Sequence, residues 1–152
     1  MATRKTPSTT DRRTALALNA GAIHLLRALD RVDREAGLTP ARLSALSVLV
    51  FGGPCSLGDL ARTEQVAGPT MTRIVDGLAA LGLAEREQDP DDRRAVRVVP
   101  TDAGTALMLR AREGRVEVIA GALQGLTGAE RRLLAAAAPL LDQVAHAVRA
   151  AG

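Results

Sequence analysis

The chain has 152 residues, 47% of them hydrophobic, and its single aromatic residue is Phe51, a composition that favours packed helices over an aromatic-rich sandwich. No apolar run reaches the roughly 18 residues that span a bilayer, the first 13 residues lack a signal segment, and the lone Cys55 excludes an intrachain disulfide, so we expect a cytoplasmic protein without a membrane partner. The net charge of +3 lies in residues 1–13, which hold four basic residues and one acidic residue, so bulk charge gives no argument for nucleic-acid binding.

The first predicted helix covers residues 11–36 and follows a flexible tail over residues 1–10. Its apolar residues recur every three or four positions, which is the spacing of one helical stripe. A stripe this broad on the helix that opens the chain predicts a partner, part of which is a second copy. The stripe consists of Leu18, Ala22, Leu25, Leu29 and Val32, widened by Leu16, Ile23 and Leu26.

Two shorter helices follow, over residues 41–51 and 57–64. Thr39 is a typical N-cap residue for the first of them. Ser56 and Asp59 have the spacing of a capping box at the start of the second.

A fourth helix is predicted from Gly68 to Leu81, and a hairpin follows it. The two strands of the hairpin cover residues 83–88 and 95–99, and the six residues 89–94 between them suit a hairpin loop. The predicted buried side of the fourth helix consists of Ile74, Leu78 and Leu81.

Two long helices complete the predicted order. One covers residues 102–123, and the other begins at the capping box formed by Thr127 and Glu130. Pro139 lies within the apolar pattern of the last helix and predicts a kink there.

The start of the fourth helix carries side chains that suit contact with DNA. In a helix-turn-helix, the first residues of the second helix meet base edges in the major groove. Thr70 and Thr72 offer hydroxyls, and Arg73 can bind guanine bidentately or bind a phosphate. Threonine and arginine are also common at ordinary helix starts, so this segment alone leaves both readings open.

The hairpin adds a second element of the same kind. Arg93 and Arg94 lie at its tip, and arginine at the end of a narrow hairpin can enter a minor groove. A solvated charged turn is the alternative for the hairpin considered by itself. The two features on adjacent elements together favour DNA binding.

One set of residues, spread over roughly residues 38–109, has a recognisable order. The set consists of Asp59-Leu60-Ala61, Val66, Pro69-Thr70, Thr72-Arg73, Val75, Leu78, Leu81-Gly82-Leu83, Asp89-Pro90, Asp92-Arg93-Arg94, Val98, and Thr101 with Gly104. In this combination the sequence resembles the MarR family of bacterial transcriptional regulators, whereas its separate pieces are common.

The resemblance implies a mainly α fold with a small two- or three-stranded antiparallel wing. Residues 38–101 would form a winged helix-turn-helix lobe that binds DNA, and residues 11–36 and 102–150 would form dimerisation helices of the same intertwined domain. It further implies a homodimer that binds a pseudo-palindromic operator in double-stranded DNA as a ligand-responsive repressor.

The resemblance also assigns roles to single residues. Thr70, Thr72 and Arg73 would face the major groove, Arg94 would enter the minor groove, and Arg93 would steady the wing or bind a phosphate. Ser56 and Thr101, at helix starts, are weaker candidates for contact with the DNA backbone. Three positions depart from the family pattern: Gln65 stands where Gly is usual, Ala67 where Ser is usual, and Gly68 where a basic residue is frequent. Because alanine cannot accept a hydrogen bond from the helix N–H groups, Ala67 predicts a weak cap for the fourth helix.

Many members of the family bind small phenolic or anionic ligands between the dimer helices and the winged lobe. By this likeness a small-molecule effector is a predicted partner, and Leu26 and Phe51 are predicted to line its pocket. The single aromatic residue disfavours a phenolic ligand.

Neither catalysis nor a cofactor is indicated. The sequence offers no nucleophile–base pair, paired-carboxylate site or phosphate loop, so we do not expect an enzyme. Cys55, His24 and His146 are too dispersed for a recognisable metal site, and Cys55 is predicted to be a buried or half-buried spacer. The alternative function is a helical adaptor that keeps the fold and has lost DNA binding, which the neutral lobe and Ala67 would suit.

Overall fold

The computed structural model describes residues 6, 8–90 and 95–151, the last three by their backbone alone. Within these residues it has six helices and three short strands, which confirms the predicted mainly α fold with a small antiparallel sheet. The elements are α1 (Thr9–Glu35), α2 (Pro40–Gly52), β1 (Cys55–Ser56), α3 (Leu57–Thr63), α4 (Gly68–Ala80), β2 (Ala84–Gln88), β3 (Val96–Pro100), α5 (Asp102–Leu123) and α6 (Gly128–Ala151).

Residues 1–114 and residues 115–152 form two separate compact units. The first contains α1 to α4, the sheet and the first part of α5, and the second contains the end of α5 and α6. Helix α6 continues through Pro139. No helix in the described part of the chain is both long enough and apolar enough to cross a bilayer.

Side-chain caps determine where the outer helices begin. Ser8 accepts a hydrogen bond from the N–H of Asp11 at 3.1 Å, and the Asp11 carboxylate accepts one from the N–H of Ser8 at 2.9 Å. Helix α1 therefore begins at Thr9, two residues before the predicted start; residues 1–5 and 7 of the predicted tail lie outside the described residues. Thr127 and Glu130 form the predicted box at the start of α6.

The three strands form one antiparallel sheet in the order β1-β3-β2. Arg86 of β2 and Cys55 of β1 both lie opposite Val98 of β3. Residues that pair directly across strands share one face of a sheet, and Val98 is only 1% exposed. The Arg86 side chain therefore leaves the backbone on the face of the sheet that meets the core.

The core of the first unit is aliphatic and holds α4 against α2, α3 and the sheet. Burying a side chain of this kind stabilises the fold by about 1.5–3 kcal/mol. The largest fully buried side chains are Leu46, Leu49, Leu60, Met71, Val75, Leu78, Val98 and Met108.

The buried face of α4 differs from the predicted one. Met71, Val75 and Leu78 are each 0% exposed, whereas Leu81 is 52% exposed and Ile74 is half-buried. The prediction was wrong at Leu81 because two neighbouring stripes both have helical spacing, and packing selects the one that contains Met71 and Val75. Leu81 is the C-cap residue, beyond the last residue of the helix.

The start of α5 closely approaches the backbone just before β2, at Gly82 and Leu83. The Thr101 hydroxyl donates a hydrogen bond to the carbonyl oxygen of Gly82 at 2.7 Å and accepts one from the N–H of Gly104 at 3.1 Å. A Cβ atom added to Gly104 would overlap the carbonyl oxygen of Leu83. Glycine at this position thus allows α5 to pack directly on the chain entering β2.

We predict that Gly104→Ala destabilises the protein by at least about 1–3 kcal/mol, because the new methyl group forces backbone to move. Gly121→Ala is the matched control: it lies in the same helix, its added Cβ meets nothing within 4 Å, and alanine there should stabilise by up to about 1 kcal/mol. Urea unfolding followed by circular dichroism measures both variants. Equal stability of the two would contradict the close approach.

Candidate nucleic-acid interface

Helices α3 and α4 are joined by a tight turn with an unusual backbone conformation. Gln65 has φ of 54°, the left-handed region that glycine adopts freely and other residues adopt at a cost of about 1–2 kcal/mol. The N–H of Val66 donates to the carbonyl oxygen of Ala61 at 3.0 Å and thereby closes the turn. The family pattern of glycine at this position therefore has a physical reason, and this chain keeps the turn without it.

Ser56 is the N-cap residue of α3, and its side chain has a structural role. Its hydroxyl accepts from the N–H of Asp59 at 3.1 Å and donates to the Asp59 carboxylate at 2.6 Å. This hydrogen bond, followed by the charge of Arg62, lowers the pKa of Asp59. The Ser56 and Thr101 hydroxyls each accept a hydrogen bond from a backbone N–H in the first turn of the helix that follows, so both already have partners within the chain.

Helix α4 begins without a side-chain cap. Ala67 has the extended backbone of an N-cap residue, with φ of −66° and ψ of 145°, but its methyl group accepts no hydrogen bond. Its carbonyl oxygen accepts the N–H groups of Thr70 at 2.9 Å and Met71 at 3.1 Å. The weak cap expected from the sequence is therefore present.

The exposed side of α4 carries the predicted major-groove residues. Thr70 and Arg73 are exposed, on the opposite side from Met71, Val75 and Leu78. Thr72 is half-buried, and its hydroxyl donates to the carbonyl oxygen of Gly68 at 3.1 Å. Thr70 and Arg73 are thus available as donors to a ligand, whereas Thr72 keeps only acceptor capacity.

One ion pair joins α4 to the sheet. A guanidinium nitrogen of Arg86 in β2 lies 2.8 Å from a carboxylate oxygen of Asp76. Asp76 is the one acidic residue in the sequence of α4 and lies one turn after Thr72. The pair places a positive charge beside this carboxylate and joins β2 to the exposed side of α4. The sequence analysis did not identify Asp76, because the ten-residue separation from Arg86 shows no local pattern.

A second ion pair crosses the sheet itself. Arg97 of β3 lies opposite both Ser56 and Glu87, and its guanidinium is 3.3 Å from the Glu87 carboxylate. The predicted wing residues Arg93 and Arg94 lie outside the described residues, so their contact with DNA stays a prediction.

The predicted effector-pocket residues are both exposed in the single chain. Leu26 is 69% exposed and Phe51 is 52% exposed, with the Arg112 guanidinium 5.8 Å from the centre of the Phe51 ring. A cleft of about 250 Å³ lies between the end of α1 and α5, and its charged lining residues are Glu35 and Arg110. Neither Leu26 nor Phe51 lines this cleft, so their role in ligand binding stays a prediction.

Cys55 is half-buried in β1, as expected for a spacer. Burial, followed by the charge of Asp59, raises the pKa of its thiol, which disfavours the reactive thiolate. In the part of the chain that the structure describes, no three His, Cys, Asp or Glu side chains converge as metal ligands.

The short α3, the turn, the exposed α4 and the adjoining sheet define a winged helix-turn-helix protein. A family model described as MarR family matches residues 36–95. An HTH-type transcriptional regulator of Mycobacterium tuberculosis is 35% identical to this chain over 131 residues, which are 86% of this chain and 92% of that relative. The chain belongs to the MarR family, a family of transcriptional regulators and not of enzymes.

Solved structures agree with this assignment. A transcriptional regulator from Thermotoga maritima is 27% identical, with 91% of this chain and 98% of that chain covered and a TM-score of 0.75. A MarR family protein from Bacillus stearothermophilus has a TM-score of 0.80 with 93% and 99% coverage, and at 22% identity it supports the fold alone. The predicted winged helix-turn-helix fold and the predicted class of DNA-binding regulator are therefore confirmed.

We predict that Ala67→Ser stabilises the protein by about 1 kcal/mol, because the serine hydroxyl can accept a hydrogen bond from the first turn of α4. Ala80→Ser, at the exposed end of the same helix, is the control and should destabilise by a few tenths of a kcal/mol through lower helix propensity. The midpoint of urea unfolding reports both changes. If both variants gain stability, or if neither does, the missing cap is not what limits the stability of α4.

Proposed function

We propose that this regulator binds double-stranded DNA by placing the exposed side of α4 in the major groove. The observation that supports this most is the burial of Met71, Val75 and Leu78, which turns Thr70 and Arg73 toward solvent at the start of the helix. Arg73 can bind the O6 and N7 atoms of guanine through two parallel hydrogen bonds, and Thr70 can bind a base edge or a phosphate.

The wing supplies the second contact in this proposal. Strands β2 and β3 flank the segment that contains Arg93 and Arg94, and the Arg86–Asp76 pair joins β2 to α4. Arg94 then enters the minor groove next to the major groove that α4 occupies, and Arg93 steadies the wing or binds a phosphate. Thr72 contributes to the interface as an acceptor.

The functional unit that we propose is a homodimer. The exposed apolar side chains of α1 support it, because water-exposed leucine and isoleucine on one helix are typical of a surface that a partner covers. In the second unit α6 exposes a comparable set. These side chains are Leu16, Leu18, Ile23, Leu25 and Leu26 in α1, and Leu133, Leu134, Leu140, Leu141, Val144 and Val148 in α6.

We infer that the dimer acts as a repressor. Two lobes that bind half-sites about 34 Å apart cover a pseudo-palindromic operator, and a promoter covered in this way is closed to polymerase. A small-molecule effector relieves repression by binding the DNA-free form more tightly than the DNA-bound form, since the coupling between two ligands is reciprocal. This function requires the compartment that holds the genome, so we propose a cytoplasmic location.

We expect Arg73→Ala to weaken binding to DNA by roughly 1–3 kcal/mol, because it removes the one basic side chain of α4. The probe is a double-stranded DNA that the parent protein selects from a random library, and fluorescence anisotropy measures affinity. Arg132→Ala, an exposed arginine of α6, is the control for loss of charge alone.

Equal affinity of Arg73→Ala and the parent would contradict the role given to α4. If the parent selects no DNA and retards no genomic fragment even at low salt, the adaptor function is the better account, because phosphate contacts strengthen steeply as salt falls.

For the dimer, we expect Leu25→Asp to give monomers or aggregates in analytical ultracentrifugation, because a carboxylate would be buried at the subunit contact. Ala20→Asp is the control, since Ala20 shares a stripe with His24, Arg27 and Arg31 on another side of α1. A well-folded dimer of the Leu25 variant would exclude this face of α1 from the interface.

A further inference from the structure

Three of the five arginines that the structure describes within residues 38–101 have carboxylate partners. Arg62 pairs with Asp59, Arg86 pairs with Asp76, and Arg97 pairs with Glu87. Of the arginines that the structure describes in this segment, that leaves two without an ion pair, namely Arg42 and Arg73. These two guanidinium groups therefore supply the unneutralised positive charge of the described lobe.

Arg42 lies in the first turn of α2, and its side chain reaches α4. A Cβ atom added to Gly77 of α4 would overlap the Arg42 guanidinium. The guanidinium thus rests on the α4 backbone where glycine leaves room for it, and the residue as a whole is half-buried. A glycine inside a helix costs about 0.5–1 kcal/mol relative to alanine, so the space for this guanidinium lowers the stability of the helix.

The Arg42 guanidinium contacts α4 on the side of the helix that carries Thr70. Gly77 is seven residues after Thr70, which is about two turns, so the two residues share one side of the helix. Asp76, paired with Arg86 of the sheet, shares the other side with Thr72. The recognition surface of α4 therefore has the wing on one flank and the Arg42 guanidinium on the other.

We propose that Arg42 is a further DNA-binding residue, which binds a backbone phosphate on the flank of α4 away from the wing. A major groove about 12 Å wide admits a helix about 10–12 Å in diameter, so a phosphate strand runs along each flank of the inserted helix. Arginine binds phosphate through two parallel hydrogen bonds, and Gly77 holds this arginine at the edge of the groove. The inference rests on the proposed placement of α4 in the major groove.

The test is the dependence of DNA affinity on salt, measured with DNA that the parent protein selects. Each phosphate contact contributes about 0.9 to the slope of log K against log salt concentration, so Arg42→Gln should flatten the slope by about 0.9 per lobe, or about 1.8 in a complex of two lobes. The loss should be similar for selected and unrelated sequences. Arg42→Lys should keep the slope, and Arg132→Gln, at an exposed position of α6, should leave it unchanged.

The variant Gly77→Ala separately tests the contact between the Arg42 guanidinium and α4. Alanine favours the helix, so this variant should be as stable as the parent or more stable in urea unfolding, yet it should bind DNA more weakly because it displaces the guanidinium. In an Arg42→Gln background the same change should have no further effect on affinity.

Two results would overturn the proposal. If Arg42→Gln keeps the salt slope of the parent, Arg42 binds no phosphate. If this variant keeps the slope but has a lower free energy of unfolding, the contact of Arg42 with α4 is structural only. Both results leave the placement of α4 intact as long as the parent binds DNA with a steep slope. A parent protein without salt-dependent binding would instead overturn the proposed function, and the role of Arg42 with it.

Discussion

The burial of one face of α4 is the constraint on which the rest of the interface depends. Met71, Val75 and Leu78 are fully removed from water, and together they contribute several kcal/mol to holding the helix at one rotation about its axis. That rotation turns Thr70 and Arg73 outward, sets Asp76 beside β2 and sets Gly77 beside α2. A rotation by one residue would exchange these roles, so packing in the core determines which side chains can meet DNA.

Charge acts in this lobe through position and not through quantity. Three ion pairs neutralise most of the described arginines, and the pair between Arg86 and Asp76 also removes a negative charge from the side of α4 that would approach phosphates. Exposed pairs of this kind stabilise a fold by about 1 kcal/mol at most, so their main effect is on geometry and on the local potential.

Local signals made much of this structure predictable from sequence. The caps at Ser56 and Thr127 and the bounds of α5 follow from side chains within three residues of each other, and the structure confirms them. Features that depend on packing between distant segments were not predictable: the choice of Met71 and Val75 over Leu81, the Arg86–Asp76 pair, and the glycines that admit other groups. The two glycines are Gly77, which leaves room for the Arg42 guanidinium, and Gly104, which leaves room for the Leu83 carbonyl oxygen.

In the proposed complex with DNA, the rotation of α4 presents Arg73 to a base edge. The most direct measurement is the affinity of the parent and of Arg73→Ala for a selected site in which each base pair is changed in turn. We expect the variant to lose discrimination at one base pair in each half-site, by about 1–3 kcal/mol, and to keep it at the other positions. Unchanged discrimination at every position, or an equal loss at all of them, would contradict the claim that Arg73 reads the sequence.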